Sequence, residues 1–232
     1  MGYEFNDWQA AAASALDWWQ AAGVDVLVDD APRDWLAREV APAPVATRVA
    51  SAPALPTTLA EFLTWRTSDV APDAAWRGVS VAASGPHDAS LIVLVDCPDA
   101  GEDCLLGGKA GALFDRMLAA IGLRREAVHL AAVCSKRPVA GRIGRDVADE
   151  LHRLARHHLA LLAPKRLLLM GDAASRALIG ADVLRARGSL HAIKHERGET
   201  DAVATFHPRL LLDRPAQKAD AWRDLQLLMG SK

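Results

Sequence analysis

The stretch Ser90–Asp96, SLIVLVD, is a continuous apolar run of strand length that closes on an acid. Because every position is apolar, rather than every second one, the run predicts a strand covered on both faces, as in the middle of a parallel sheet. Outward from it the chain alternates. Residues 109–121 (KAGALFDRMLAAI) set Leu113, Met117 and Ile121 at four-residue intervals and stop at Gly122, which predicts a helix. A second apolar run spans Val128–Val133. A loop with Arg137 and Pro138 follows, then a helix from Asp146 to Leu162 that carries Val147, Leu151, Leu154 and Leu161. Arg166–Met170 is the third strand, and Gly171 and Asp172 open a short helix. Residues 202–206 (AVATF) predict the last strand, ending at His207 and Pro208, and a helix across Trp222, Leu225 and Leu228 closes the chain. This alternation predicts a three-layer α/β/α sandwich with a central, mostly parallel four-stranded sheet. Ligands of such sheets sit beyond the carboxyl ends of the strands. Asp96, the loop from Val133 to Pro138 and His207 are therefore expected to converge in one cleft.

Upstream the pattern changes. Residues 7–22 (DWQAAAASALDWWQAA) are Ala-rich with helical spacing, and Gly23 suits the helix end. Six of the seven tryptophans precede residue 77, among them Trp8, Trp18, Trp19 and Trp35. So many tryptophans call for a covering surface, either the chain's own domain or a protein partner. Residues 41–56 (APAPVATRVASAPALP) are Pro/Ala-rich and aperiodic, a semi-extended linker. Thr57 or Thr58 then caps a short helix through Phe62 and Trp65. The expected organisation is a Trp-rich helical extension over 1–40, a linker over 41–56 and one domain over 57–232.

The formal charge of −2 divides unevenly. Residues 1–103 hold 5 basic and 16 acidic side chains, whereas residues 104–232 hold 22 and 13. The C-terminal part is thus suited to a phosphate-bearing partner. No apolar run approaches the roughly 20 residues of a membrane span, and Glu4 and Asp7 stand where a signal peptide would be basic. Three cysteines, Cys97, Cys104 and Cys134, fit a reducing, cytoplasmic setting and exclude a cluster with four thiolate ligands within one chain. No cofactor is expected.

Four motifs in order complete the reading: Val-Asp-Cys-Pro-Asp-Ala-Gly-Glu-Asp after the first strand, Gly-Lys-Ala-Gly-Ala-Leu-Phe-Asp-Arg-Met-Leu opening the next helix, Lys-Arg-Pro after the second strand and Phe-His-Pro after the last. From about residue 90 to the end, the chain resembles the uracil-DNA glycosylase superfamily, and its family 4 type above all. The resemblance implies a hydrolase that extrudes a damaged or deaminated base from DNA, stabilises an oxocarbenium-like sugar and releases the base as an anion, in base excision repair. It puts Asp96 in the slot of the family's water-activating glutamate. His207, before Pro208, matches the histidine that donates to the base oxygen. Val95, Cys97, Pro98 and Asp99 fall on the loop that approaches the base, with Val95 and Asp99 replacing glycines. Leu106 falls where the family stacks an aromatic ring, and Ala132 where an asparagine reads the uracil edge. Altered base specificity follows, since a site built on polar readout loses discrimination with that group. Lys136, Arg137, Arg185, Arg187 and Arg209 are expected phosphate contacts. Arg209–Leu212 is expected to form a loop at the minor groove, with Leu210 or Leu211 filling the vacated stack. Family 4 members usually carry an iron-sulfur cluster, which the cysteine count removes here; Phe62, Trp65 and Trp76 are expected to hold the N-terminal part by packing instead.

Rival readings are a degenerate glycosylase fold that binds DNA or a repair partner without cutting, and a variant enzyme acting on another lesion. His191 and His195, with Glu196, have helical ligand spacing but no third ligand follows, so no metal site is expected. His152, His157 and His158 are expected on a helix surface. No Gly-x-Ser-x-Gly elbow follows a strand, which excludes the common serine-hydrolase arrangement.

Overall fold

The computed structural model describes residues 7–23, 55–139 and 143–230. The chain divides into two compact units, residues 1–52 and 53–232. Of the first, helix α1 (Asp7–Ala21) is described, and Gly23 behind it takes a left-handed φ of 78°. Trp8, Leu16, Trp18 and Trp19 are exposed on it. Trp35 and most of the linker, 41–54, lie outside the described residues.

The second unit opens with α2 (Leu59–Arg66), which Thr58 caps by accepting from the Glu61 amide at 3.4 Å. The order is then β1 (Leu91–Val95), α3 (Gly108–Ala120), β2 (His129–Ala132), α4 (Arg145–Leu162), β3 (Arg166–Met170), α5 (Asp172–Leu178), α6 (Val183–Ala186), β4 (Leu190–His195), β5 (Gly198–Thr205), α7 (Pro208–Asp213) and α8 (Lys218–Gly230). The strands form one sheet in the order β2-β1-β3-β5-β4. β2, β1, β3 and β5 are parallel; β4 is an antiparallel edge on β5. The expected architecture holds with five strands rather than four. β4 (LHAIKH) escapes a search for apolar runs because only Ile193 of its six residues is buried, as an edge strand allows.

All five residues of β1 are buried, as a strand with helices on both sides requires. On one face Ile92 and Leu94 pack with Ala155, Leu159 and Leu162 of α4 and Leu178 of α5. On the other side of the sheet α3, α7 and α8 meet through Met117, Leu211 and Leu225. Two expectations fail here. Arg209–Leu212 is not a loop but part of α7, started by Pro208 at its first turn, where proline's fixed φ is favourable. His158 does not line a surface: it is buried against Phe62 and stands edge-on to His129 of β2 at 5.3 Å. Phe62 lies in the core with Trp65 and Trp76 packed on it, as expected. Among the described residues no helix is long and apolar enough to cross a membrane.

Candidate active site

Four parallel strands deliver their connections to one end of the sheet. Past the named strands, pairing of β1 with β2 continues: the Val133 amide donates to the Val95 carbonyl at 2.9 Å and the Cys134 amide to the Asp96 carbonyl at 3.1 Å. The loops after β1 and β2 are therefore held side by side. β3 ends at Met170, just before Gly171, and β5 feeds Phe206 and His207 into the start of α7.

Asp96 is half-buried and its Oδ1 accepts from the Ala174 amide at the start of α5, at 2.8 Å. The carboxylate lies against Gly171, where φ is +116° and an added Cβ would stand 2.3 to 2.6 Å from the Asp96 carboxylate atoms. Only glycine fits that approach. Burial pushes the Asp96 carboxyl up to about 6, with the nearby Asp172 adding to the rise against the Ala174 amide. The group is thus ionised at neutral pH at a cost to the fold.

His207 caps α7 with its ring: Nδ1 accepts from the Arg209 amide at 3.2 Å. Burial, then the Arg209 charge, holds the imidazole down to about 4, so it is neutral at pH 7. A neutral ring that accepts at Nδ1 carries its proton on Nε2. That Nε2 is buried and has no hydrogen-bond partner among the described residues. An unmatched buried donor costs about 1 to 3 kcal/mol.

The loops after β1 and β2 and the start of α7 also share a charged cluster. Arg209 donates from Nη1 to Asp99, and Arg137 Nη1 stands 3.8 Å from the same oxygen. The charges of Arg137, Asp96, Arg209 and Asp99 all reach Cys97, and those of Arg209, Asp99 and Arg137 reach His207. Arg137, Arg209 and Asp99 thus act on both Cys97 and His207, and no hydrogen bond joins Asp96 to His207 among the described residues. Asp99 is the carboxylate whose charge acts on the imidazole, opposing the effect of Arg209. Burial pushes the Cys97 thiol up, which disfavours its thiolate.

The residues that the resemblance assigns to the base are largely enclosed. Val95 is 0%, Leu106 2%, Cys97 7% and His207 6% exposed; Pro98 and Pro208 are buried and Ala132 is half-buried. Val95 and Ala132 are partners in the β1–β2 register. Leu106 adopts φ of 53°, a left-handed conformation that costs a leucine about 1 to 2 kcal/mol. It is held there by Arg125, which donates to the Leu105 and Leu106 carbonyls at 3.1 and 2.9 Å. Gly111 lets the Leu106 carbonyl approach to where a Cβ would stand, at 2.0 Å.

Of the expected phosphate contacts, Arg137 and Arg209 meet at this end. Lys136 is committed elsewhere, donating to the Ala74 carbonyl at 2.5 Å. Arg187 is turned inward, paired with Asp224 at 3.2 Å and lying 4.9 Å over the Phe206 ring, so it serves the fold. Arg185 is exposed on the short α6. Leu211 is 1% exposed and cannot reach a base stack; Leu210 is half-buried and Leu212 exposed.

Sequence reasoning missed the group that holds the loop after β2. Asp73, fully buried, pairs with both terminal nitrogens of Arg66 at 2.5 and 2.9 Å and accepts from the Ser135 amide at 2.6 Å and the Lys136 amide at 3.4 Å. Arg66 also donates to the Val133 carbonyl at 2.8 Å. Burial would raise the Asp73 carboxyl, but Arg66 and the Ser135 amide outweigh it and hold it below its usual range. Neither residue belongs to a motif, so only their burial could have marked them. An iron-sulfur cluster does not fit these residues: Cys97 and Cys134 are buried, Cys104 is exposed, and burial holds the Cys134 thiol well above its usual range.

A carboxylate after the first strand and a neutral, donor-bearing imidazole after the last stand at the carboxyl edge of a mostly parallel sheet, where α/β proteins of this class bind their ligands. Residues 85–226 match the model of the uracil DNA glycosylase superfamily. The chain belongs to that superfamily. It is similar to the type-4 uracil-DNA glycosylase of Pyrobaculum aerophilum, 24% identical over 165 residues that cover 67% of this chain and 84% of the relative. The type-4 uracil-DNA glycosylase of Archaeoglobus fulgidus is 25% identical over 159 residues, 63% of this chain and 78% of the relative.

Proposed function

We propose that this protein hydrolyses the N-glycosidic bond of a deaminated or damaged base extruded from DNA, with a base preference altered from uracil. The observation that carries the reading is the His207 ring, a neutral imidazole whose buried Nε2–H has no protein acceptor. Such a donor stabilises negative charge developing on a leaving base without having to lose a proton. Asp96, ionised above about pH 6, supplies charge toward the sugar cation and an acceptor for attacking water. Arg137 and Arg209 are the phosphate contacts this geometry favours, and Leu210 is the residue of α7 best suited to enter the stack. Ala132 offers no side-chain hydrogen bond to a base edge, which supports the altered preference.

A second reading, binding without cleavage, is favoured by the enclosed Val95 and Leu106 and by the bond from Ala174 to Asp96. Incubation of the protein with single- and double-stranded oligonucleotides bearing uracil, hypoxanthine or xanthine, followed by alkaline strand cleavage, separates the two. Cleavage that disappears in His207→Ala and Asp96→Asn supports the enzyme. Salt-sensitive DNA binding with every substrate intact supports the binder. The exposed tryptophans of α1 support a protein partner for residues 1–40, which their deletion would release without loss of DNA binding.

A further inference from the structure

Both cations that favour DNA at this edge are already neutralised from within. Arg209 Nη1 donates to Asp99, and Arg137, 3.8 Å from the same oxygen, also donates to the Pro98 carbonyl at 3.4 Å. Three segments meet at this point: the loop after β1, the loop after β2 and the first turn of α7. The Asp99 side chain is 15% exposed, and those of Arg137 and Arg209 34% and 40%. The carboxylate is thus the covered centre and the guanidiniums its lid. Neighbouring acids have other partners, Asp96 at the Ala174 amide and Glu102 at the Gly107 amide. To a guanidinium, a carboxylate and a phosphate present the same chemistry, anionic oxygens that accept charge-assisted N–H bonds.

We propose that Asp99 is an internal stand-in for a backbone phosphate, a specificity-determining residue that DNA must displace before Arg137 and Arg209 can hold it. The inference rests on the reading that this edge meets DNA, and it is independent of cleavage. Exchange of one anion for another gains little on undistorted DNA, so non-specific binding is weak. A nucleotide whose extruded base also reaches His207 makes a contact that Asp99 cannot replace. The same exchange frees the turn whose Arg209 amide holds His207 Nδ1, which couples phosphate capture to the imidazole.

The test is fluorescence anisotropy with an undamaged labelled duplex of about 20 base pairs, titrated across roughly 50 to 300 mM KCl. Asp99→Asn should bind about tenfold tighter at the low-salt end, with a log–log salt slope steeper by about one. Asp213→Asn removes the same charge from α7, where Asp213 is exposed and in no ion pair among the described residues; it should tighten binding no more than about twofold. Arg209→Gln should cost about tenfold in the Asp99→Asn background and under about threefold in the otherwise unchanged chain. Asp99→Ser, checked by thermal unfolding, replaces Asp99→Asn if the latter folds poorly. Equal effects of Asp99→Asn and Asp213→Asn, an Arg209→Gln cost that is the same in both backgrounds, or no DNA binding by any variant would each overturn the proposal. Since the duplex holds no lesion, a failure to excise bases leaves it standing and sinks only the enzymatic reading.

Discussion

Asp96 carries opposite consequences for stability and for chemistry, and these can be measured separately. Its folded pKa, about 6, lies above the unfolded value near 3.8, so the folded chain binds this proton more tightly than the unfolded one. The stabilisation is complete at low pH and is lost as pH rises from about 3.8 through 6. Asp96→Asn removes the ionised group while its amide oxygen still accepts from Ala174. Urea melts at pH 8 should find this variant more stable by about 1 to 2 kcal/mol, with the gain gone at pH 4.5. A carboxylate kept only as a helix cap would lose stability on the same change at both pH values. If the protein cleaves, kcat/KM should rise through about pH 6 as Asp96 ionises and then level off, because His207 is neutral throughout that range. Val95 and Ala132 argue a second point at this scale. They are register partners, so the bulk of Val95 stands beside the small Ala132 side chain, at the two positions where the resemblance implies a glycine and an asparagine. Ala132→Asn alone should be crowded and inactive on uracil. Val95→Gly with Ala132→Asn should raise uracil excision at least about tenfold over either single change, measured as single-turnover cleavage.

The element most exposed to a single change is the loop after β2, which the Arg66–Asp73 pair ties to the end of α2. Breaking a buried pair by removing one partner leaves an uncompensated charge and costs about 3 to 5 kcal/mol. Arg66→Met should lower stability by that amount in urea melts, whereas Asp73→Ala should also speed hydrogen exchange at the Ser135 and Lys136 amides, which lose their acceptor. Unchanged exchange at those two amides would refute the tie. Elements differ in how far residues alone foretell them. β1 and β3 were legible because burial on both faces writes itself as an unbroken apolar run, and α4 because its apolar residues recur on one face. β4 was not, since an edge strand needs little apolar content, and α7 was not, since its six residues are set by the His207 ring and Pro208 rather than by periodicity. The site divides the same way. His207 stood out through its place between a strand and a proline. The partners that decide what Asp96 and Asp99 do, Gly171, Ala174, Arg137 and Arg209, lie 38 to 110 residues away in sequence and share no motif with them.

Across the whole molecule, buried imidazoles set the response to acid. His158 faces Phe62 and Arg66 from α2, His129 from β2 and His157 on its own helix, with His87 beyond His129. Burial first, then the charges of these neighbours, holds His158 down to about 3, and burial also lowers His129 and brings His207 to about 4. In the unfolded chain each takes up a proton near pH 6.5. The folded state therefore binds fewer protons than the unfolded one between about pH 6.5 and 4, and its stability falls as pH falls through that window. Asp96 acts against this, because between about 6 and 3.8 the folded chain is the tighter proton binder. His158 and His207 against this one carboxyl leave a net loss on acidification of about 3 kcal/mol between pH 7 and 4.5, and His129 adds to it. Urea melts across that range should show it as a falling midpoint at constant slope. Replacing His158 with leucine should remove most of that fall, since no buried proton acceptor then remains beside Phe62. A wild-type midpoint that holds steady down to pH 4.5 would mean that these rings are already charged in the folded core, and with it would go the neutral His207 on which the donor argument depends.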